Sequence, residues 1–175
     1  MKIKSFFITL ACVLFFNAGV KAQFMLAEGT RIAMANDSEK NIEKLHAGDI
    51  VLAFNNIDKV YEEKKVKSVK NVMLSRFVRI TLETGMQITL TADSPIWAER
   101  GWISVDPDWT KGSNDKYVNI KPCKTGEFVL FYNVTSTDYV EIATIQGRTE
   151  PTMAYEVELE GGGSLVANGF LIGHN

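Results

Sequence analysis

The chain closes on GFLIGHN, and its last two residues are of types that can cut a backbone. An Asn side-chain nitrogen can attack its own carbonyl carbon and break the bond that follows. A neighbouring imidazole, here His174 beside Asn175, can protonate the leaving amine. As written, no bond follows Asn175, and the competing reading is a last β-strand with two polar residues after it. Other chemistry-bearing side chains are few. The two histidines, His46 and His174, are too few for a typical zinc site without cysteine partners. Asp106 and Asp108 could meet a cation, but their setting reads as a solvated loop. Nothing implies a cofactor or a metal.

The elements that would position such a site begin after residue 22. Lys2 and Lys4 precede an apolar run, Phe6–Phe16, and Val20-Lys21-Ala22 offers a cut before Gln23. That pattern is a secretory signal peptide over 1–22, which implies a secreted or periplasmic domain over 23–175. Cys12 would be the site of a lipoprotein anchor, but Thr9-Leu10-Ala11 is a poor lipobox. No later segment is long and apolar enough for a membrane-spanning helix, so no stable membrane anchor is expected after signal removal. Three of the 19 basic residues (Lys2, Lys4, Lys21) fall in the signal, leaving 16 against 21 acidic ones. A mildly acidic domain without a basic block makes no case for nucleic acid. The densest basic run, EEKKVKSVK (62–70), mixes signs and reads as a strand with one solvated face. Cys123 is the only cysteine after the signal and makes no intramolecular disulfide. Asn36 and Asn133 head N-x-Ser/Thr patterns that matter only in a glycosylating host.

The chain repeats itself. IEKLHAGDIVLAF (42–54) aligns with IKPCKTGEFVLFY (120–132) at an offset of 78. Ile42 matches Ile120, Leu45 matches Cys123, Gly48 matches Gly126, and Val51-Leu52 matches Val129-Leu130. ITLETG (80–85) aligns with VELEGG (157–162) at an offset of 77. LTADSPIW then corresponds to LVANGFLI once a shorter turn is allowed. A duplicated unit with pseudo-twofold symmetry follows. Cys123 occupies the apolar position of Leu45, which marks it as a buried, inert thiol.

Local patterns are β. FVRITLETGMQITLT (77–91) reads as a hairpin about Thr-Gly, and AYEVELEGGGSLVANGFLI (154–172) repeats the arrangement about GGGS. VLAFNN, KVKSVKNV, EFVLFYNV and YVEIATIQ add short strands. NIEKL (41–45) is long enough for one helical turn. DPDWTKGSNDKY (106–117) is expected to be a mobile loop.

Four ordered blocks resemble the Hint domain, the self-processing module of Hedgehog C-terminal domains, inteins and bacterial intein-like proteins. They are MLAEGTRIAM (25–34), IEKLHAGDIVLAF, LTADSPIW and VANGFLIGHN. The resemblance covers 25–175 and implies an all-β horseshoe of two twofold-related halves, which agrees with the repeat. It also implies roles: a Cys or Ser nucleophile at Met25, a Thr-x-x-His motif at Thr91 and Ser94, and a closing His-Asn at His174 and Asn175. Two of these positions depart from the pattern. Met25 carries a thioether, with no proton to lose and no route to an acyl intermediate. Ser94 stands where a His would protonate the amide nitrogen, and no base beside it suggests a nucleophile.

Three readings follow. The first is a degenerate Hint-fold domain, without amino-terminal autoprocessing, that serves as a binding or structural module for an unknown protein or small-molecule partner. In it Trp97 and Trp102 either contact a ligand or, more simply, pack in the core. Only Gln23 and Phe24 precede Met25 in the expected mature chain, which fits that reading. The second is a residual or silenced self-splicing domain that retains Asn175 cyclisation. The third is an unrelated secreted β-protein, which predicts no twofold halves.

Overall fold

The computed structural model describes residues 24–173. Residues 1–23, which contain the expected signal peptide, and His174 and Asn175 lie outside the described residues. The first half opens with β1 (Leu26–Ala27), β2 (Arg31–Ala33) and β3 (Glu39–Asn41). It continues through β4 (Ile50–Asn55) and a long β5 (Val60–Leu74) to the hairpin β6 (Phe77–Leu82) and β7 (Gln87–Leu90). Two short strands, β8 (Ile96–Ala98) and β9 (Gly101–Ser104), lead to one helix, α1 (Pro107–Ser113). The second half contains β10 (Lys121–Pro122), β11 (Phe128–Asn133), β12 (Ser136–Arg148), β13 (Thr152–Leu159), β14 (Ser164–Ala167) and β15 (Phe170–Ile172).

The repeat is real and its halves are interlocked. The hairpin β4–β5 corresponds to β11–β12, yet each long strand takes its second partner from the other half. β5 pairs with β13, and β12 pairs with β6. Both base turns are closed alike. Gly48 N–H donates to Val66 O at 2.8 Å and Gly126 N–H to Ile142 O at 2.9 Å. Val66 N–H returns to Asp49 O, and Ile142 N–H to Glu127 O, both at 2.8 Å. The exchanged ladders match as well, with Glu83 N–H on Glu141 O at 3.0 Å and Glu160 N–H on Lys65 O at 2.9 Å. Each carries an irregularity at the same place, beside Leu82–Ile142 and beside Leu159–Val66. The glycines repeat because both sit at positive φ, 96° and 84°, which L side chains resist.

The main apolar core is built from inward β residues of both halves, such as Ile32, Val51, Ile80, Leu82, Val129 and Ile142. Leu45 and Cys123 are buried at equivalent positions. Burial pushes the Cys123 thiol up to about 12, with Glu127 adding to the rise and Arg100 opposing it. That thiol stays protonated and inert. The 62–70 run forms part of β5. Its lysines face acids, Lys65 to Glu160, Lys67 to Glu158 and Lys70 to Glu156, so it presents a neutralised ladder. Residues 42–44 form one 3₁₀ turn.

The expected mobile loop at 106–117 is instead α1 followed by a 3₁₀ turn, Asp115–Tyr117. The Asp106 side chain caps α1 by accepting from Trp109 N–H at 3.1 Å, and Pro107 sits in the first turn. An Asp-Pro start favours a helix for physical reasons, because Asp accepts an orphan amide and Pro lacks the amide that would be orphaned. The Gly and Asp content that suggested a loop was outweighed by this cap. Asp108 pairs with Lys111 at 3.6 Å.

If the two halves carry equivalent strain at their base turns, Gly48→Ala and Gly126→Ala should each cost about 1–2 kcal/mol, the usual penalty for an L residue in left-handed space. No neighbouring atom crowds either added methyl closer than 4.0 Å. Urea unfolding of both variants checks the equivalence; one neutral variant would show that the turns differ.

Candidate functional site

β1 is the wedge between the halves. It pairs with β7 from the first half and with β13 from the second, through Leu26 opposite Leu90 and opposite Tyr155. The residue just before it, Met25, meets Thr91 at the end of β7. Met25 N–H donates to Thr91 Oγ1 at 3.2 Å, and Thr91 N–H donates to Met25 O at 2.9 Å. Thr91 then starts a tight turn in which Ser94 N–H donates back to Thr91 O at 3.0 Å. Ser94 Oγ lies 2.9 Å from Thr91 Oγ1. The structure thus brings Met25, Thr91 and Ser94 together.

Thr91 Oγ1 thus accepts from Met25 N–H and shares a hydrogen bond with the Ser94 hydroxyl in which either oxygen can donate. A hydroxyl has one proton and two lone pairs, so it holds both contacts at once. Within the same turn lies one carboxyl, that of Asp93. Asp93 is buried, at 6% exposure. Burial raises its pKa; the Thr91 hydrogen bond and its own amide pull it down, and the Asp106 carboxylate adds to the rise. The Thr-x-x-His pattern assigns roles only to the ends of its four residues, Thr91 and Ser94, and none to Asp93 between them.

α1 holds this turn. Asp106 N–H donates to Ala92 O at 2.7 Å, and the Thr110 hydroxyl donates to Asp93 O at 2.7 Å. Ser104 Oγ lies 2.8 Å from Thr110 Oγ1. Both central carbonyls of the Thr91–Ser94 turn are thereby tied to one capped helix.

The Phe24–Met25 bond is enclosed. The Met25 side chain packs with Ala27, Leu74, Phe77 and Ala154, whereas Phe24 enters a separate cluster with Trp102, Tyr117 and Ile120. The thioether thus fills an apolar slot. Phe24 and Tyr117 meet edge to face at 5.4 Å, as do Trp102 and Tyr117 at 5.4 Å. Trp97 packs on Trp102 at 5.1 Å, and Lys59 Nζ lies 4.1 Å from the Trp97 ring centroid. These aromatics are packing elements of the wall.

His174 and Asn175 lie outside the described residues, but the strand that precedes them is placed. Gly173 N–H donates to Pro95 O at 2.8 Å. A Cβ on Gly173 would collide with the Tyr117 hydroxyl and touch Pro95 Cβ at 3.0 Å. The last strand therefore delivers the chain to the residue after Ser94. Tyr117, which lies within the 106–117 segment expected to be a loop, flanks this point.

Removing the Thr91 hydroxyl orphans the Met25 amide and the Ser94 hydroxyl. Thr91→Val should lower stability by about 1–3 kcal/mol, the cost of leaving a buried group unpaired. Thr91→Ser, which keeps the hydroxyl, should recover most of it. Asp93 carries a pH signature. Its folded pKa lies above that of the unfolded chain, so rising pH ionises the unfolded carboxyl first and stability falls. Asp93→Asn should therefore gain on the parent at pH 7, with the gain vanishing below the ordinary Asp range. Urea midpoints at pH 3 and pH 7 test this; an unchanged difference between the two would remove the buried carboxyl from the account.

No family model matches the sequence, and no curated protein matches it. The fold does have counterparts. The mini-intein variant M86 of the Ssp DnaB intein aligns with a TM-score of 0.72 at 16% identity, over 89% of this chain and 97% of that one. The DnaB intein of Synechocystis sp. PCC 6803 aligns at 0.69 and 16% identity, over 87% and 99%. A bacterial intein-like domain from Clostridium thermocellum aligns at 0.66 and 18% identity, over 86% and 98%. Together with the exchanged halves and the wedged β1, these likenesses establish that the chain has a Hint-type, intein-like fold.

Proposed function

We propose that the chain is a secreted Hint-fold domain that does not perform the amino-terminal acyl shift and acts as a binding or structural module. The observation that carries the reading is Met25. Its backbone makes the contacts an activated amide would need, with Thr91 on its nitrogen, but its side chain offers a thioether packed among apolar groups. A thioether cannot take an acyl group and lose a proton, so the covalent route has no entry. Ser94 adds a second barrier. A neutral hydroxyl in place of an imidazole forfeits general acid catalysis worth roughly 10²–10⁴ in rate, or about 3–5 kcal/mol of barrier. Secretion is supported by the charged and apolar pattern of residues 1–22.

A second reading retains Asn175 cyclisation assisted by His174. It is favoured by the hydrogen bond from Gly173 to Pro95, which holds the last described residue beside the Thr91–Ser94 turn.

One fusion protein separates the readings. A soluble tag is placed before Met25 and a short peptide after Asn175, and intact mass is followed with and without added thiol. The unsubstituted chain should stay whole at its front. The double variant Met25→Cys, Ser94→His should lose the tag when thiol is added. Front-end cutting by the unsubstituted chain would overturn the first reading, and release of only the trailing peptide would favour the second.

A further inference from the structure

We propose that a separate cavity, formed by four turns of the horseshoe, binds a small organic cation: an apolar body carrying an ammonium or guanidinium head. The cavity encloses about 540 Å³ between the β2–β3, β6–β7, β11–β12 and β14–β15 connections. None of its lining residues belongs to the Met25–Thr91–Ser94 site, and the proposal stands whether or not that site is active. Its volume falls in the usual range for small-molecule pockets, about 300–1,000 Å³.

The inner wall is apolar. Val166 is fully buried and Met34 nearly so, and Met86, Phe131 and Val140 are packed against the core around them. Two methionines give that wall some capacity to adapt to shape. The back of the cavity is fixed. Asn168 is held in left-handed conformation, φ 46°. Its Oδ1 accepts from Arg31 N–H at 2.8 Å, and its Nδ2 donates to Gln87 O at 2.9 Å. Gly169 follows at φ 83°, where a Cβ would stand 2.5 Å from the Phe131 ring. Phe131 is in turn braced edge-on by Phe170 at 5.8 Å. Such a pocket needs little ordering to accept a guest.

The mouth selects by charge. Asp37, Glu39 and Asp138 line it, and no Lys, Arg or His does. Glu39 is already paired with Arg31 at 2.8 Å. Among the described residues, no basic side chain pairs with Asp37 or Asp138. Two uncompensated carboxylates over apolar walls attract a cation and repel a carboxylate or phosphate. An apolar wall beneath an anionic rim fits an amphipathic cation and fits an anion of the same shape poorly.

Two probes of matched shape test this, 2-phenylethylammonium and 3-phenylpropionate, titrated into the full domain and followed by amide chemical shifts. The ammonium should bind at least about tenfold more tightly, with shifts at Phe131, Val140 and Val166. Asp37→Asn combined with Asp138→Asn should bring the two probes to parity. Raising salt should narrow their difference, since exposed carboxylates are screened. Val140→Trp, at a half-exposed strand position, should fill the space and abolish the shifts while thermal unfolding shows the domain folded. Equal affinity for both probes, no binding by the ammonium, or binding that survives Val140→Trp would each overturn the proposal. None of these readouts depends on cleavage at Met25.

Discussion

Neither copy of the repeat closes its own sheet. Each long strand, β5 and β12, spends one edge on its own hairpin partner and the other on a strand of the opposite half. A half on its own would leave one edge of a long strand with unpaired amides and carbonyls, a costly and aggregation-prone state. The exchange therefore couples the halves through backbone hydrogen bonding, and the shared core follows from that coupling. It also explains why glycine recurs at 48 and 126: the ladder starts only if the chain reverses there with positive φ.

The same exchange creates the place where β1 sits. With β7 from one half and β13 from the other facing across the seam, a two-residue strand bridges them, and Met25 is drawn against Thr91. The Thr91–Ser94 turn then needs its own support, because a buried turn exposes carbonyls that must be satisfied. α1 supplies it through Asp106 and Thr110. A helix of seven residues gains little stability from its own hydrogen bonds, and its contribution here is to hold two carbonyls in place.

Much of this was legible in the residues. The offset between IEKLHAGDIVLAF and IKPCKTGEFVLFY identified the halves, and Leu45 opposite Cys123 identified a buried thiol. The Thr-Gly turn located the β6–β7 hairpin, because glycine in a turn has a local physical cause. GGGS marks a turn but not the expected hairpin, since β13 pairs with β1 and β5 while β14 pairs with β2, β4 and β15. The contact between Met25 and Thr91, 66 residues apart, was legible only through the resemblance of the blocks. Three features were not. α1 was obscured because its Gly and Asp content resembles a loop and its cap is a single Asp-Pro step. Asp93 is an acid whose importance comes from burial, which no neighbouring residue announces. The cavity is assembled from four turns far apart in sequence, so no local pattern could describe it.

The geometry of the Met25 site has a structural cause that is independent of any reaction. Met25 N–H and the Ser94 hydroxyl both meet the Thr91 hydroxyl, Met25 and Ser94 are themselves buried, and both groups would lose that partner without it. The energetic demand to satisfy them, about 1–3 kcal/mol for each buried group, is the same whether the side chain at 25 is reactive or not. A horseshoe built on exchanged strands must bury β1 at its seam, must satisfy the amide before it, and so must place a hydroxyl there. The contacts that would activate an amide in a self-processing centre are, on this reading, also contacts the fold requires. Loss of a nucleophile at position 25 removes chemistry without removing any hydrogen bond, because a thioether and a thiol present the same backbone to Thr91. A scaffold of this kind can therefore keep the same backbone contacts whether or not the side chain at position 25 is reactive.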